Sequence, residues 1–182
     1  MRIRTILREK KAALSPEERL EKSKKIIRYV LGQIKDGETV LAYTSKELEV
    51  NTAPLIDELL KRKNNVAVPI IQKEDISLRL SYIRDRSVLV PSTFGVPEPI
   101  GNEIPARPEE ISVILLPMLG FDRTGARIGY GAGYYDRFLE KNPGLKKIAL
   151  AFACQEVERL PLDPTDIRMD MIITENGVVY PG

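Results

Sequence analysis

Residues 112–116 read Ser-Val-Ile-Leu-Leu, an apolar run without alternation. A strand with one wet face alternates apolar and polar residues. One that does not alternate must be covered on both faces, the condition of an inner strand in a parallel sheet. Helices have to supply those covers, which narrows the architecture to layered α/β. The rest of the chain agrees. Residues 38–43, 65–71 and 147–152 are further apolar strands. Pro69 must lie at an edge or a strand end, because proline has no N–H for the ladder. Residues 77–83 alternate with period two, as an antiparallel addition would, and 171–174 and 177–180 complete the strands. Between them the spacing predicts helices over 3–14, over about 16–31, after Asn51 or Thr52, and over 134–140. The second opens with Ser15, Pro16 and Glu18, a cap, a first-turn proline and a reciprocating glutamate, and Gly32 closes it. Residues 91–108, rich in Pro and Gly, are expected to be a long ordered loop. The fold expected is therefore a single domain over 1–182, a three-layer α/β/α arrangement with a mostly parallel central sheet and an N-terminal helical pair.

The residue types that are missing restrict the chemistry. The 182 residues contain no His and one Cys. Ser-His-Asp and Cys-His nucleophiles are excluded, as are His-ligated zinc and an internal disulfide. Cys154 sits in an apolar run and is expected to be a small buried residue. Carboxylates, Lys/Arg, hydroxyls, backbone amides and a hard cation remain, an inventory suited to phosphoryl transfer. A net charge of +2 argues against a dedicated nucleic-acid binder. It is unevenly spread: residues 1–28 carry ten Lys/Arg against four Glu, and 154–175 carry six acids against two Arg. Both ends suit a site holding phosphates and a metal, and both equally suit solvated surfaces. No apolar stretch is long enough to span a bilayer, so the expected compartment is the cytoplasm.

The densest local pattern follows the 112–116 strand. Asp122-Arg-Thr-Gly125 has the preferences of a type I turn. Glycines then fall at 129, 131 and 133, where the backbone can approach an oxyanion and aim amides at it. The helix from Tyr134 adds its N-terminal amides, and Arg127 can fork onto phosphate oxygens. Asp136, in the first helical turn, is within reach of a Mg²⁺ shared with phosphates. This is neither a Walker A loop nor a dinucleotide fingerprint. The same glycines equally build a plain turn, with Asp136 complementing the helix dipole.

The run Gly120-Phe-Asp-x-x-Gly-x-Arg-Ile-Gly-x-Gly-x-Gly-Tyr-Tyr-Asp136 resembles the signature of the 5-formyltetrahydrofolate cyclo-ligase (methenyltetrahydrofolate synthetase) family. The resemblance extends to Leu14-Ser-Pro-Glu-Glu-Arg19, Glu49-Val-Asn-Thr52, Gly95-Val-Pro-Glu-Pro99 and Asp166-x-x-x-Asp170. It implies conversion of 5-formyltetrahydrofolate and ATP, with Mg²⁺, to 5,10-methenyltetrahydrofolate, ADP and phosphate. ATP would phosphorylate the formyl oxygen to an iminium phosphate, N10 would attack the activated carbon, and phosphate would leave. No histidine is needed for that route.

Carried over residue by residue, the resemblance implies Arg127 and Tyr135 as catalytic residues. It implies ATP contacts from Arg4, Arg127, Ile128, Gly129, Tyr130, Gly131, Ala132, Gly133, Tyr134 and Tyr135. Tyr43, Glu49 and Phe94 would meet the folate, and Asp136 and Asp170 would hold Mg²⁺. Bland readings stand beside several of these: a core tyrosine for Tyr43, a loop anchor for Phe94, a turn carboxylate for Asp170, and Glu47 as a competitor of Glu49. Two departures from the family pattern are visible. The lysine that family members carry ahead of Arg4 would fall before Met1, leaving Arg2 or the terminal amine in its place. Tyr130 and Ala132 stand where the family often has basic residues. The partners implied are small molecules, with no nucleic acid and no membrane, acting on a monomer. A different ATP-using α/β enzyme, or a non-catalytic folate or RNA binder with basic N-terminal helices, are the other classes the sequence admits.

Overall fold

A computed structural model describes residues 2–161 and 166–181. The chain opens with helices α1 (Arg2–Ala12) and α2 (Pro16–Leu31). At the start of α2 the Ser15 hydroxyl accepts from Glu18 N (3.1 Å) while Glu18 Oε1 accepts from Ser15 N (2.9 Å). Two orphan donors of that helix end are thereby satisfied. Then come β1 (Thr39–Ala42), α3 (Ala53–Lys61), β2 (Asn65–Gln72) and β3 (Ser77–Ile83). Short strands β4 (Val90–Pro91), β5 (Pro97–Glu98) and β6 (Ile104–Ala106) precede the inner strand β7 (Val113–Leu116). The hairpin β8 (Gly120–Phe121) and β9 (Arg127–Ile128) leads to α4 (Tyr134–Lys141), and β10 (Lys146–Leu150), β11 (Met171–Thr174) and β12 (Gly177–Val179) follow.

Eight of these strands form one sheet in the order β12-β11-β10-β7-β1-β2-β3-β6. The five from β11 to β2 run parallel, and β12, β3 and β6 add antiparallel at the two sides. Strand alternation divides the core in two. Val40, Val113, Leu115 and Ile148 face Ile26 and Val30 of α2 and Leu55 and Leu59 of α3. Leu41, Ile114, Leu116 and Ala149 face Phe138 and Leu139 of α4. Three layers result, as the uninterrupted apolar strands require.

The stretch 91–108 departs from the loop expected for it. It contains the β4–β5 ladder, and β6 extends the main sheet by pairing Leu80 with Ala106 and Tyr82 with Ile104. The outer edge of β3 would otherwise present unpaired amides, and Pro105 is tolerable in a strand that is itself an edge. Pro69 lies within β2 between two partners, yet it obeys its constraint locally. β1 pairs with β2 only from Asn65 to Ala67. Beyond that point one side of β2 is open, and the amide of Ile71, on the same side as Pro69, donates to a side chain, Glu98 Oε2 (2.8 Å). Cys154 is half-buried rather than enclosed.

Candidate functional site

From β1 the chain moves to one side of the sheet through β2 and β3, and from β7 to the other through β10 and β11. The order therefore reverses between β1 and β7, and ligands of open α/β sheets bind beyond the carboxyl ends of strands at such a point. A cavity of about 800 Å³ lies there. Tyr43, Thr44 and Glu49, following β1, and Pro117, following β7, line it. α1 contributes Arg4, Arg8 and Lys11, and Ile71, Leu78 and Val96 give an apolar flank. The turn from Gly129 to Asp136 closes another side.

The position of Arg127 follows from the hairpin that carries it. Asp122, 1% exposed, holds the hairpin: its Oδ1 accepts from Thr124 N (2.9 Å) and Thr124 Oγ1 (2.6 Å), and its Oδ2 from Leu160 N (2.8 Å). Burial pushes this carboxyl's pKa up, but the donors outweigh it and hold it below the ordinary value. Gly125 N donates to Asp122 O (3.2 Å) in the expected turn. Arg127 Nε and Nη2 both donate to Pro117 O (2.9 and 2.7 Å), and Nη1 lies 3.5 Å from Asp136 Oδ1. The Arg127 side chain is 5% exposed, and burial lowers its pKa against the pull of Asp136 and neighbouring groups. A guanidinium stays charged under such a shift. A Cβ at Gly129 would stand in ordinary contact with it, 3.4 Å from two of its nitrogens.

Gly131 (φ 106°) and Gly133 (φ 82°) adopt left-handed conformations that other residues rarely take, and Gly133 is the N-cap of α4. The glycine turn and the N-terminal end of α4 thus border the cavity with Arg127, an arrangement suited to an anion. Tyr130, Ala132, Tyr134 and Tyr135 line it too. Ile128 does not, because strand alternation sends Arg127 and Gly129 to one side and Ile128 to the other.

Across the cavity, Glu49 Oε1 accepts from Lys46 N (2.7 Å) and Oε2 from the Tyr130 hydroxyl (3.4 Å). Burial raises the Glu49 pKa, partly offset by that amide and by Lys11. Glu47 lines the same cavity but is exposed. The Tyr43 ring belongs to the core and borders the cavity, and its hydroxyl donates to Val50 O (3.2 Å). Phe94, with φ 55°, stands at the rim and is 54% exposed, its ring 6.3 Å from the Tyr134 ring and 4.6 Å from Lys73 Nζ. Its loop is anchored by the buried Glu98, which accepts from Thr93 Oγ1 (3.1 Å) as well as Ile71 N.

Asp136 and Asp170 are not brought together. Asp136 is in the first turn of α4 with its side chain 73% exposed. Asp170 immediately precedes β11 and so lies at the amino ends of the parallel strands, where its Oδ2 accepts from Lys147 N (2.7 Å) and meets Lys147 Nζ (3.4 Å). It is the turn carboxylate of the bland reading, not a ligand at this cavity. The described residues hold no cluster of three His, Cys, Asp or Glu able to bind a metal unaided. Arg8 and Lys11 are cavity residues that the sequence reading passed over. Their signal was present, since Arg4, Arg8 and Lys11 fall at i, i+4 and i+7, a basic face of α1. No helix among the described residues is long and apolar enough to cross a membrane.

The model of the 5-formyltetrahydrofolate cyclo-ligase family matches residues 1–175. The chain belongs to the 5-formyltetrahydrofolate cyclo-ligase family. The cyclo-ligase of Haemophilus influenzae is 29% identical, covering 91% of this chain and 91% of its own. That of Mycolicibacterium smegmatis is 34% identical over 79% of this chain and 77% of its own. The solution structure of Aquifex aeolicus 5,10-methenyltetrahydrofolate synthetase is 34% identical, covers 98% of this chain and 91% of that one, and superposes with a TM-score of 0.84. The cyclo-ligase signature that begins at Gly120 corresponds to β8, β9, the glycine turn and the first turn of α4, the parts that converge on Arg127.

Proposed function

We propose that this chain cyclises 5-formyltetrahydrofolate to 5,10-methenyltetrahydrofolate with consumption of Mg-ATP and release of ADP and phosphate. The observation that carries the reading is one cavity with two unlike sides. Arg127, the glycine turn and the α4 N-terminus make an anion-binding side, and Glu49, Tyr43 and the Phe94 rim make a side suited to a flat, polar-edged heterocycle.

A formamide oxygen is a poor leaving group, and phosphorylation cures that. The formyl oxygen takes the γ-phosphoryl group from ATP, ADP departs, and the carbon becomes an N5-iminium phosphate. N10 then attacks that carbon and loses its proton, and expulsion of phosphate leaves the methenyl bridge. The residues act by placement and charge. Arg127 is immobilised through Nε and Nη2, so Nη1 is the donor that turns toward phosphate oxygens. The 129–133 amides take the charge that develops during transfer. The Tyr135 ring packs against the Arg127 guanidinium, 5.6 Å away, and restrains it. Arg4 adds a second cation on the nucleotide side, and Glu49 accepts from pterin or N10 hydrogens.

Mg²⁺ held by substrate phosphates needs only one or two protein carboxylates, and an exposed Asp136 beside the anion site fits that requirement. When bound, the ion neutralises phosphate charge. The test is direct: purified protein with Mg-ATP and 5-formyltetrahydrofolate should develop methenyl absorbance in the near ultraviolet. Folded protein that gives no such signal with fresh substrate rules the reading out.

A further inference from the structure

α1 is fastened to the glycine turn at two points. Arg4 Nε donates to Gly129 O (3.2 Å), and Lys11 Nζ donates to the Tyr130 hydroxyl (2.6 Å). These anchors are two helical turns apart on one face of α1 and seize consecutive residues of the turn. Between them Leu7 packs under Gly120, where a Cβ would come within 2.5 Å of Leu7 Cδ1.

Lys11 is the unusual member. It is 4% exposed, so its ammonium has exchanged water for a phenol, which alone compensates poorly for burying a charge. The compensation continues one residue further, because the same Tyr130 hydroxyl donates to Glu49 Oε2 (3.4 Å). The phenol accepts on one side and donates on the other, joining a cation from α1 to an acid from the segment after β1. Burial lowers the Lys11 pKa and Glu49 pulls it back, so each charge is sustained by the other. Tyr130 meanwhile belongs by its backbone to the turn between Gly129 and Gly131.

We propose that Lys11 is a positioning residue of this site: through the Tyr130 hydroxyl it ties the glycine turn to Glu49, so that the nucleotide side and the folate side are set as one unit. This rests on the assignment of the turn to ATP and of Glu49 to the folate. A lysine that only docks α1 would act on stability, whereas one that sets the turn acts on nucleotide affinity, and does so through Tyr130.

The experiment is a double-mutant cycle on Mg-ATP affinity, measured by equilibrium titration, with Lys11→Met, Tyr130→Phe and the double variant. Methionine keeps the buried stem without the charge, and phenylalanine keeps the ring without the hydroxyl. Each single variant should weaken Mg-ATP binding about tenfold, and the double variant should be no weaker than either, the coupling expected of residues in one network. The 5-formyltetrahydrofolate KM should rise in the same variants, and Lys11→Arg should recover part of both losses. Multiplying single effects overturn the proposal, as does Lys11→Met that lowers the melting temperature with Mg-ATP affinity intact. Tyr130→Phe, at a half-exposed ring that leaves folding alone, decides independently: unchanged Mg-ATP affinity there also overturns it. Wild-type turnover measured in parallel keeps the two readings apart, since absent cyclisation with intact Mg-ATP binding and an intact cycle removes the folate assignment and leaves the coupling standing.

Discussion

Arg127 commits two of its guanidinium nitrogens to a single carbonyl, Pro117 O, and keeps the third for the cavity. In the proposed reaction, truncating it removes a phosphate donor whose interaction strengthens as charge develops. Arg127→Ala should therefore raise the ATP KM and lower turnover, together by roughly 10²-fold or more in kcat/KM, in steady-state assays. Asp136 is exposed and pairs with Arg127 at 3.5 Å, so Asp136→Asn should leave the fold intact and shift the Mg²⁺ dependence of turnover to higher concentration. An unaltered Mg²⁺ titration would remove it as the ligand. Asp122 has a different task. Its folded carboxyl is held below the ordinary value, so its stabilisation is complete above the unfolded pKa and is lost as pH falls through the folded one. Asp122→Asn should cost about 1–3 kcal/mol near neutral pH, with the deficit shrinking in acid, as urea unfolding across a pH series would reveal. The glycines, Arg127 and Asp136 were legible because their spacing is local. Glu49 could be named from the sequence, but its bond to Tyr130 could not.

At the scale of elements, α1 is the informative one. Read for apolar spacing, Ile3, Ile6, Leu7 and Leu14 promised an ordinary amphipathic helix. In the structure Ile6 is half exposed, Leu7 is buried, and the basic face turns toward the cavity. Placement of α1 depends on the absence of a side chain at Gly120. Gly120→Ala would drive a methyl into Leu7 and to within 3.1 Å of Gln155 O, so it should destabilise by about 1–3 kcal/mol. It should also raise the ATP KM although Gly120 itself does not line the cavity, because Arg4 and Lys11 move with their helix. A melting curve and a KM determination on the same preparation check both halves. α2 shows the opposite case. Its capping box was visible in four consecutive residues and formed as read, since every partner lies within one turn.

At the scale of the whole molecule, two cores on opposite faces of one sheet carry the site from its sheet side, while Arg4 and Lys11 of α1 and Phe94 of the 92–98 loop meet the turn from Gly129 to Asp136 from outside it. Ligands that join those parts should stabilise the entire fold. Mg-ATP and 5-formyltetrahydrofolate, each at about a hundred times its Kd, should each add roughly 2.7 kcal/mol and raise the melting temperature, and Arg127→Ala should abolish the ATP contribution. Layered α/β architecture, the capping of α2, the inner strands and the glycine turn were determined by the sequence alone, because hydrophobic period, capping and glycine conformation act over a few residues. Tertiary structure alone decided which end of the sheet each residue occupies. It put Asp170 at the amino ends and Asp136 at the carboxyl ends, drew β6 into the main sheet, and turned Ile128 away from the cavity. It also brought Lys11 to Tyr130 across 119 positions and Arg4 to Gly129 across 125. Contacts of that length follow from strand order and helix docking, which no local spacing rule encodes, and the site's connection between its two sides depends on them.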